Sequence, residues 1–383
     1  MVEDKEEHIR PIAIYLPQFH PIPENDEWWG KGFTEWTNVV KARPRFKGHL
    51  QPHLPADLGF YDLRLPEIRE AQAALARTYN VHGFCYYHYW FNGKRVLDRP
   101  FREVFESGKP DFPFMLCWAN ENWTRIWDGG ENSVLLKQEY SPEDDRQHIR
   151  ALIPFFKDKR YIKVQEKPVF AIYRESMFPN IEETLSIFRE EAWKEGLELY
   201  LCYFERGRDL PNANPRVSGF DAGIEFQPLS KSLNEYKAFR LKRDMSTRFL
   251  RMDTYTRAVR EKVLERGKDK DDIVDYADFV DFDVNRPFPA YKLFPGVSPG
   301  WDNSSRRTGR RAVIFKNNTP EDFRRWVASK VEKFKPYSTD ENFLFINAWN
   351  EWAEGNHLEP CQRHGHAFLQ ALKDGLKVQS GKA

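Results

Sequence analysis

The sequence carries little net charge and few cysteines. Among its 383 residues, 59 Lys and Arg nearly balance 58 Asp and Glu, which leaves a net charge of +1. A chain this close to neutral has no overall electrostatic attraction for nucleic acid or an anionic membrane surface, although local basic patches remain compatible with it. The four cysteines form no Cys-x-x-Cys pair, and Cys85, Cys117 and Cys202 lie in apolar runs typical of small buried side chains.

Long hydrophobic segments are also absent. No apolar stretch approaches the ~20 residues that a membrane-spanning helix needs. The first ten residues, "MVEDKEEHIR", are charged and lack the apolar stretch of a secretory signal. The sequence therefore predicts no membrane span, no nucleic-acid partner and a cytoplasmic location, and it leaves the oligomeric state open.

Eight short apolar runs alternate largely with helical patterns. The runs cover residues 12–16, 83–87, 114–118, 168–173, 199–204, 222–226, 293–297 and 343–346. This alternation predicts an α/β protein with a (β/α)8 TIM-barrel fold. An open doubly wound sheet would need a glycine-rich phosphate-binding turn after its first strand, and the "YLPQFHPIP" segment contains none.

One segment interrupts the alternation. Residues 227–289 are rich in Lys, Arg and Asp, and their helical periodicity is weak. They predict a helical or irregular insertion between strands six and seven of a single domain that spans residues 10–376. Ser141 and Thr319, each followed by Pro and acidic residues, predict the starts of two helices.

Aromatic residues make up 15% of the chain, with 12 Trp, 16 Tyr and 30 Phe. Several clusters follow the apolar runs, and the C-terminal ends of barrel strands are where such folds bind ligands. Flat aromatic faces suit the C–H faces of sugars, whereas the plainer interpretation is that the clusters belong to the core. Polar residues next to the clusters favour a ligand-binding site over a place in the core.

The strongest chemical candidate is the segment "NAWNEWAEGNHLEP", which directly follows the eighth run. A helical turn there would place the Cβ atoms of Glu351 and Glu354 about 5–6 Å apart on one face. Two carboxylates at such spacing can divide acid and base work across a glycosidic bond. The alternative is a solvated or salt-bridged helix start, which Trp349 and Asn350 beside the pair make less favourable.

Three further loops combine polar and aromatic side chains. They contain Glu35 with Trp36, then Asn120 and Glu121 with Trp118 and Trp123, and then Trp301 with Asp302 and Arg306. This composition suits a hydroxyl-rich ligand, because such a ligand needs paired polar groups above an apolar platform. A buried polar network that braces the mouth of the barrel explains the same residues equally well.

Other motifs carry less weight. Asp281 and Asp283 form a D-x-D, which in sugar-nucleotide transferases holds a divalent ion against a diphosphate, but so short a motif is common by chance. The histidines after Glu354 match no familiar zinc spacing, so no metal and no other cofactor is expected. The sequence contains no P-loop and no G-x-S-x-G.

Longer motifs carry a family resemblance. They are "YLPQFHPIPENDEWWGKGFTEWTNV", "CYYHYWFNGKRVLDRP", "CWANENWTRIWDG", "SPGWDNSSRR" and "NAWNEWAEGNHLEP". Together they make the chain similar, over roughly residues 10–375, to the WbsX-type family of bacterial polysaccharide gene clusters, described as glycosyltransferases and related to glycoside hydrolase family 99.

The resemblance implies a (β/α)8 fold and a retaining, metal-independent enzyme. In family 99, which contains endo-acting α-mannosidases and mannanases, the 2-hydroxyl of the sugar is thought to attack C1 and form a 1,2-anhydro intermediate. The family motif maps onto Glu351 as the base that assists this hydroxyl, and onto Glu354 as the acid and later base at the glycosidic oxygen. Trp301 replaces the Tyr of a similar family loop.

These observations yield one set of candidate residues. The expected catalytic residues are Glu351 and Glu354. The expected substrate-binding residues are Tyr15, Gln18, His20, Glu35, Trp36, Tyr87, Trp90, Trp118, Asn120, Glu121, Trp123, Trp301, Asp302, Trp349 and Asn350.

The sequence therefore predicts a retaining carbohydrate-active enzyme that cleaves or transfers glycosyl units of a bacterial oligosaccharide or polysaccharide. Two alternatives remain open. One is a nucleotide-sugar-dependent glycosyltransferase of O-antigen or polysaccharide biosynthesis, and the other is a non-catalytic glycan-binding protein.

Overall fold

A computed structural model describes residues 9–125, 130–206, 219–249, 271–307 and 310–377. Parallel strands form a nearly closed barrel with eight positions. Its strands are β1 Arg10–Tyr15, β2 Gly83–Phe91, β3 Phe114–Trp118, β4 Lys167–Ile172, β5 Tyr200–Glu205, β6 Ala222–Glu225, β7 in two pieces at Leu293–Phe294 and Gly296–Val297, and β8 Phe343–Ile346.

The seventh position explains how the barrel closes. Leu293 pairs with Gly223 of β6, while Gly296 pairs with Phe345 of β8. Pro295 separates the two pieces, because proline has no N–H to donate to a strand ladder. With β8 also paired to β1, the order of the strands runs around the barrel, and the (β/α)8 prediction is confirmed.

Ten helices are described. They are α1 Pro23–Trp29, α2 Glu35–Lys41, α3 Pro66–Thr78, α4 Arg99–Ser107, α5 Pro142–Phe156, α6 Ile181–Lys194, α7 Lys231–Phe249, α8 Tyr276–Val284, α9 Pro320–Lys333 and α10 Ala367–Leu376. The predicted starts at Ser141 and Thr319 are confirmed, because each side chain accepts a hydrogen bond from the backbone N–H three residues ahead. None of the described helices is both long enough and apolar enough to cross a membrane.

Short strands add to the barrel or lie beside it. They are Lys94–Val96, Trp123–Arg125, Gly130–Leu136, Lys163–Val164, Asp272–Asp275, Val313–Lys316, Asn350–Glu351 and Asn356–His357. The pair Asn350–Glu351 and Asn356–His357 is antiparallel and lies directly after β8, so it shapes the segment that carries the candidate acids.

The barrel strands are continuous apolar runs because both of their faces are buried. Both faces of β2 are buried along its whole length, as expected for parallel strands covered by helices. Trp118 and Trp349 are completely buried within this core. All four cysteines are free and buried, and Cys85, Cys117 and Cys202 lie in barrel strands.

The segment at residues 227–289 lies between β6 and β7, where the sequence predicts an insertion. It contributes α7 and α8, and its strand Asp272–Asp275 pairs in parallel with Val313–Lys316 outside the barrel. A buried charge network attaches it to the barrel wall. Lys330 of α9 contacts Glu225 of β6 and Asp283 of α8, both at 2.8 Å.

The D-x-D motif belongs to this insertion. Asp283 is buried against Lys330, Arg286 and the indole N–H of Trp326, while Asp281 pairs with Arg325 near the surface. The two carboxylates therefore serve different structural contacts and do not converge on a common point.

The network at Lys330 predicts a large loss of stability on substitution. Lys330→Met leaves Glu225 and Asp283 without one of their buried cations, and breaking such a pair costs about 3–5 kcal/mol. We expect Lys330→Met to lower the free energy of unfolding in urea by this amount. The exposed Lys335→Met is the matched control, and equal stability of the two variants would show that the network contributes little.

Candidate active site

The candidate acids lie on a sharp turn after β8. Glu351 ends the short strand Asn350–Glu351, and the following residues, Trp352–Glu354, form a 3-10 turn. The sequence predicts a helical turn, and the structure shows the tighter 3-10 form, which ends at Gly355 in the left-handed region at φ 57°. A Cβ at Gly355 would lie 3.0 Å from the Cβ of Asp302, so the close approach of the two loops requires glycine.

Both acids contact one guanidinium. Arg306, at the end of the 3-10 turn Asn303–Arg306, lies with Nη2 2.9 Å from Glu351 Oε2 and with Nη1 2.7 Å from Glu354 Oε1. A third carboxylate, that of Glu35 at the start of α2, accepts a hydrogen bond from Arg306 Nε at 2.7 Å. One cation thus holds three carboxylates that come from two different segments, the start of α2 and the turn after β8.

A cavity opens in front of the two acids. It has a volume of about 250 Å³ and includes Glu351, Glu354 and Arg306 in its lining. Aromatic side chains form much of the remaining wall, and these are Trp28, Trp29, Tyr87, Tyr89, Trp123, Tyr173 and Phe226. Gln18 and Glu121 add polar groups. The cavity therefore places two carboxyl groups beside broad aromatic faces.

The electrostatics of the cluster favour a retained proton. Burial raises the pKa of Glu351 from its ordinary value of 4.5 to about 8, opposed by Arg306 and supported by the negative charges of Glu354 and Glu35. Burial raises the pKa of Glu354 as well, again opposed by Arg306. Because three carboxylates surround one guanidinium, full ionisation of the cluster would leave buried negative charge uncompensated.

A second buried network holds the turn from behind. Glu359 accepts hydrogen bonds from the indole N–H of Trp352 at 2.7 Å and from the hydroxyl of Tyr61 at 2.9 Å. The amide of Gln72 donates to its other oxygen at 2.6 Å. Burial raises the pKa of Glu359 to about 7. This carboxyl group does not line the cavity. Through Trp352 it holds the turn that carries Glu351 and Glu354.

Six of the residues predicted for the site line the same cavity. They are the two acids together with Gln18, Tyr87, Glu121 and Trp123. Glu121 is half-exposed and lies between Arg174 and Arg206, at 2.5 and 3.3 Å. Tyr87 and Gln18 are buried at the floor, so the structure brings together side chains that are more than 300 positions apart in the chain.

The other predicted residues lie outside the lining of the cavity. They are Tyr15, His20, Glu35, Trp36, Trp90, Trp118, Asn120, Trp301, Asp302, Trp349 and Asn350. Most of them support the cavity from behind. Asn350, for example, exchanges hydrogen bonds with the backbone N–H and C=O of Leu16, and Asn120 does the same with the backbone of Arg174.

Several of these side chains have a clear partner. Tyr15 donates to Gln72, the indole N–H of Trp36 donates to Tyr61 O, and that of Trp90 donates to Asp144. The carboxylate of Asp302 lies 2.6 Å from His49 Nε2 and accepts a hydrogen bond from Gln51. These contacts make them packing and bracing groups in this structure, and a role in substrate binding stays a prediction for them.

Sequence reasoning assigned no site role to Tyr89, Tyr173 or Phe226. Tyr89 is two positions beyond Tyr87, and alternate residues of a strand point to the same side, so the strand period offered a signal for it. Tyr173 and Phe226 directly follow β4 and β6, and position after a barrel strand offered a signal for them. Arg306 was noted in its loop, but nothing in the sequence indicated that it joins the two acids.

Among the described residues, no group of three or more His, Cys, Asp or Glu side chains could hold a metal ion. The positive charge inside the carboxylate cluster comes from Arg306.

Comparison with known proteins decides the family. The family model described as "Glycosyltransferase WbsX" matches residues 11–372. The chain belongs to the WbsX family. Two relatives from two strains of Xanthomonas campestris pv. campestris, both named "Uncharacterized protein WxcX", are 40% identical to it over 367 residues, which is 95% of this chain and 49% of each relative. This WbsX family member therefore spans about half the length of the curated relatives it matches.

Solved structures share the fold. The GH99 endo-α-mannosidase from Bacteroides thetaiotaomicron, in complex with bis-tris-propane, superimposes with a TM-score of 0.55 at 12% identity, over 98% of both chains. A protein described as glycoside hydrolase-like gives a TM-score of 0.56 at 12% identity, over 97% of this chain and 94% of its own. At this level of identity the similarity concerns the barrel fold.

The charge cluster predicts that Glu35 influences the acidity of Glu351. Glu35→Gln removes a negative charge that raises the pKa of Glu351, and it leaves Arg306 with two carboxylates to neutralise in place of three. Both effects lower the pKa of Glu351, by about one unit or more. The measurement is a carbon-13 NMR titration of labelled Glu carboxyls, with the exposed Glu70→Gln as control, and an unchanged or higher pKa would contradict the arrangement.

The raised pKa of Glu351 also predicts how stability depends on pH. A carboxyl whose pKa is higher in the folded state contributes stability fully below its ordinary value of 4.5, and this contribution is lost as pH rises to about 8. We expect the melting temperature of the unmodified protein to fall more steeply between these values than that of Glu351→Gln. If the melting temperatures of the two proteins fell equally steeply with pH, the raised pKa of Glu351 would be refuted.

Proposed function

We propose that this member of the WbsX family is a carbohydrate-active enzyme that cleaves or transfers glycosyl units of a bacterial polysaccharide, with Glu351 and Glu354 as its acid–base pair. One observation carries the proposal. The two carboxyl groups line one open cavity and contact the same guanidinium, so a single sugar ring in the cavity would lie within reach of both.

The protonation of the cluster suits acid–base chemistry. An acid–base pair needs one protonated and one ionised carboxyl at working pH. Burial raises the pKa of both Glu351 and Glu354, while Arg306 supports their ionised forms. The cluster can therefore hold a proton at neutral pH, and the pair shares it as one titrating unit.

The family resemblance supplies a sequence of steps. With the shared proton on Glu354, Glu351 takes the proton of the 2-hydroxyl as that oxygen attacks C1, and Glu354 gives its proton to the departing glycosidic oxygen. The resulting 1,2-anhydro sugar opens when water or a sugar hydroxyl attacks C1. Glu354 takes the proton of this acceptor, and Glu351 returns a proton to O2. The identity of the acceptor decides between hydrolysis and transfer.

The wall of the cavity supports a glycan as the ligand. Trp28, Trp29 and Trp123 offer flat apolar faces, while Gln18 and Glu121 offer hydrogen-bonding groups. Aromatic faces pack against the C–H side of a sugar ring, and polar groups at its edge pair with hydroxyls. The description of the family as glycosyltransferases and the barrel shared with an endo-α-mannosidase support this class of substrate.

The family description favours a second candidate, a nucleotide-sugar-dependent glycosyltransferase. Such an enzyme needs a site for a diphosphate. In the D-x-D formed by Asp281 and Asp283, Asp283 is buried against Lys330 and Arg286, which argues against that motif as the site. Calorimetric titration with nucleoside diphosphates, with and without Mn²⁺, separates the candidates, because only the transferase should release heat of specific binding.

The proposal predicts that either acid is needed for turnover. We expect Glu351→Gln and Glu354→Gln each to lower kcat by about 10²- to 10⁴-fold, because general acid–base assistance contributes that much. The assay is incubation with polysaccharide from the strain that encodes the protein, followed by mass spectrometry of the fragments or extended chains.

The exposed Glu70→Gln serves as the control and should keep full activity. Retained binding of glycan together with no product from any variant, or from the unmodified protein, would favour a non-catalytic glycan-binding protein. Near-full turnover in Glu354→Gln would remove that residue from the acid role.

A further inference from the structure

A second cavity lies beside the turn that carries the two acids, and Gly355, directly after Glu354, lines it. Its volume is about 390 Å³, larger than that of the candidate active site, and within the range of roughly 300–1,000 Å³ typical of small-molecule sites. The two cavities share no lining residue. Four histidines line it, His49, His53, His357 and His364, and we refer to it as the histidine cavity.

Hydrogen bonds determine the protonation of the central histidine pair. His357 Nδ1 lies 2.9 Å from the carbonyl oxygen of Glu359, which can only accept, so Nδ1 carries the proton. Burial lowers the pKa of His357 well below its ordinary value, which keeps the ring neutral and leaves Nε2 as an acceptor. His53 Nδ1, 3.1 Å from that nitrogen, is then the donor.

This series of hydrogen bonds leaves His53 Nε2 with a free lone pair. Burial also lowers the pKa of His53, so its neutral form presents this nitrogen as an acceptor. His53 lines the cavity, and no donor among the described residues reaches the Nε2 atom. The ring is therefore held by His357 and by a hydrogen bond to the backbone of Leu50, while Nε2 has no donor among the described residues.

Two amides add further acceptors to the same cavity. Gln51 donates through Nε2 to Asp302 at 2.6 Å, and Asn318 donates through Nδ2 to the carbonyl of Pro299 at 3.0 Å. These bonds orient the amides and leave Gln51 Oε1 and Asn318 Oδ1 without a donor from the part of the chain that the structure describes. Both side chains line the cavity.

Charge restricts the ligand further. No carboxylate is among the residues that line the histidine cavity, whereas Arg363 at its rim has no ion-pair partner among the described residues. A cationic ligand would meet the unpaired guanidinium of Arg363. A ligand rich in hydroxyls can donate to the three acceptors and accept from Arg363, whether it is neutral or acidic.

We propose that the histidine cavity is a second glycan-binding site, which holds a glycosyl unit through its hydroxyl groups. His53, Gln51 and Asn318 accept from these hydroxyls, and Arg363 donates to a ring, hydroxyl or carboxylate oxygen. The choice of a glycan as the hydroxyl-rich ligand rests on the proposed function, while the hydrogen-bonding pattern does not. The unit can come from a free sugar or from a segment of a polymer whose cleaved bond lies elsewhere.

Nitrogen-15 NMR of labelled histidine tests the site directly, because accepting a hydrogen bond shifts the signal of an unprotonated imidazole nitrogen. The full chain carrying Glu354→Gln is used, so that binding is observed without turnover. The probes are D-mannose, D-galactose, L-rhamnose, D-glucuronic acid and fragments of the polysaccharide of the encoding strain, with glycerol as a small polyol control. We expect a saturable shift of the His53 Nε2 signal with at least one glycan probe.

Substitutions then locate the binding. Gln51→Leu and Asn318→Leu should each weaken it by about tenfold, as the loss of one hydrogen bond would, while Gln370→Leu on the nearby surface should not. Trp123→Ala, in the other cavity, should leave the shift unchanged. Melting temperatures close to that of the parent show that each variant is folded, and the two Leu variants test the site independently.

Other outcomes overturn the proposal. These are no saturable shift with any probe, an equal shift with glycerol, a shift that survives both Leu substitutions, or a shift abolished by Trp123→Ala. A response to polymer fragments but not to monosaccharides identifies a polymer segment as the ligand, and the reverse identifies a free sugar. Because the measurement uses a variant without turnover, the site can be present even if the protein proves to lack the proposed activity.

Discussion

One guanidinium organises the candidate active site. Arg306 contacts Glu35, Glu351 and Glu354, so the positions of three carboxylates are coupled through a single side chain. Each carboxylate would be costly to bury ionised by itself, and a single cation cannot neutralise all of them. Burial, together with the remaining negative charge, raises the pKa values of Glu351 and Glu354, which links the packing of the loops to the acidity that acid–base chemistry requires.

The topology of the barrel brings together the three loops that carry Arg306 and its carboxylate partners. β8 pairs with β1 on one side and with the second piece of β7 on the other. Glu35 follows β1, Arg306 follows β7 and the two acids follow β8, so their loops emerge side by side at the C-terminal face. The break at Pro295 allows β7 to pair with β6 by one piece and with β8 by the other, which closes the barrel at this point.

A second carboxyl group, that of Glu359, shows how the turn is held. It accepts from Trp352, Tyr61 and Gln72, so its burial is matched by hydrogen bonds. The ring of His357 stacks on Trp352 with centroids 3.7 Å apart. The indole between the two acids is thus held by Glu359 through its N–H and by the ring of His357, which lines the histidine cavity.

The amino-acid sequence by itself determined the barrel, because eight buried strands need apolar runs at a regular spacing, and it located the two acids, because they stand directly after the last run. It also placed the insertion and the family. Only the tertiary structure decided which aromatic residues face a cavity, since Trp118 and Trp349 lie in the core while Trp28 and Trp123 line the wall. The sequence around the core tryptophans and around the wall tryptophans has a similar aromatic and polar composition. Whether a given indole faces the core or the cavity depends on the neighbouring strands, which only the fold specifies. The convergence on Arg306 was likewise decided in three dimensions, because contacts between loops some 270 positions apart leave no local pattern in the chain.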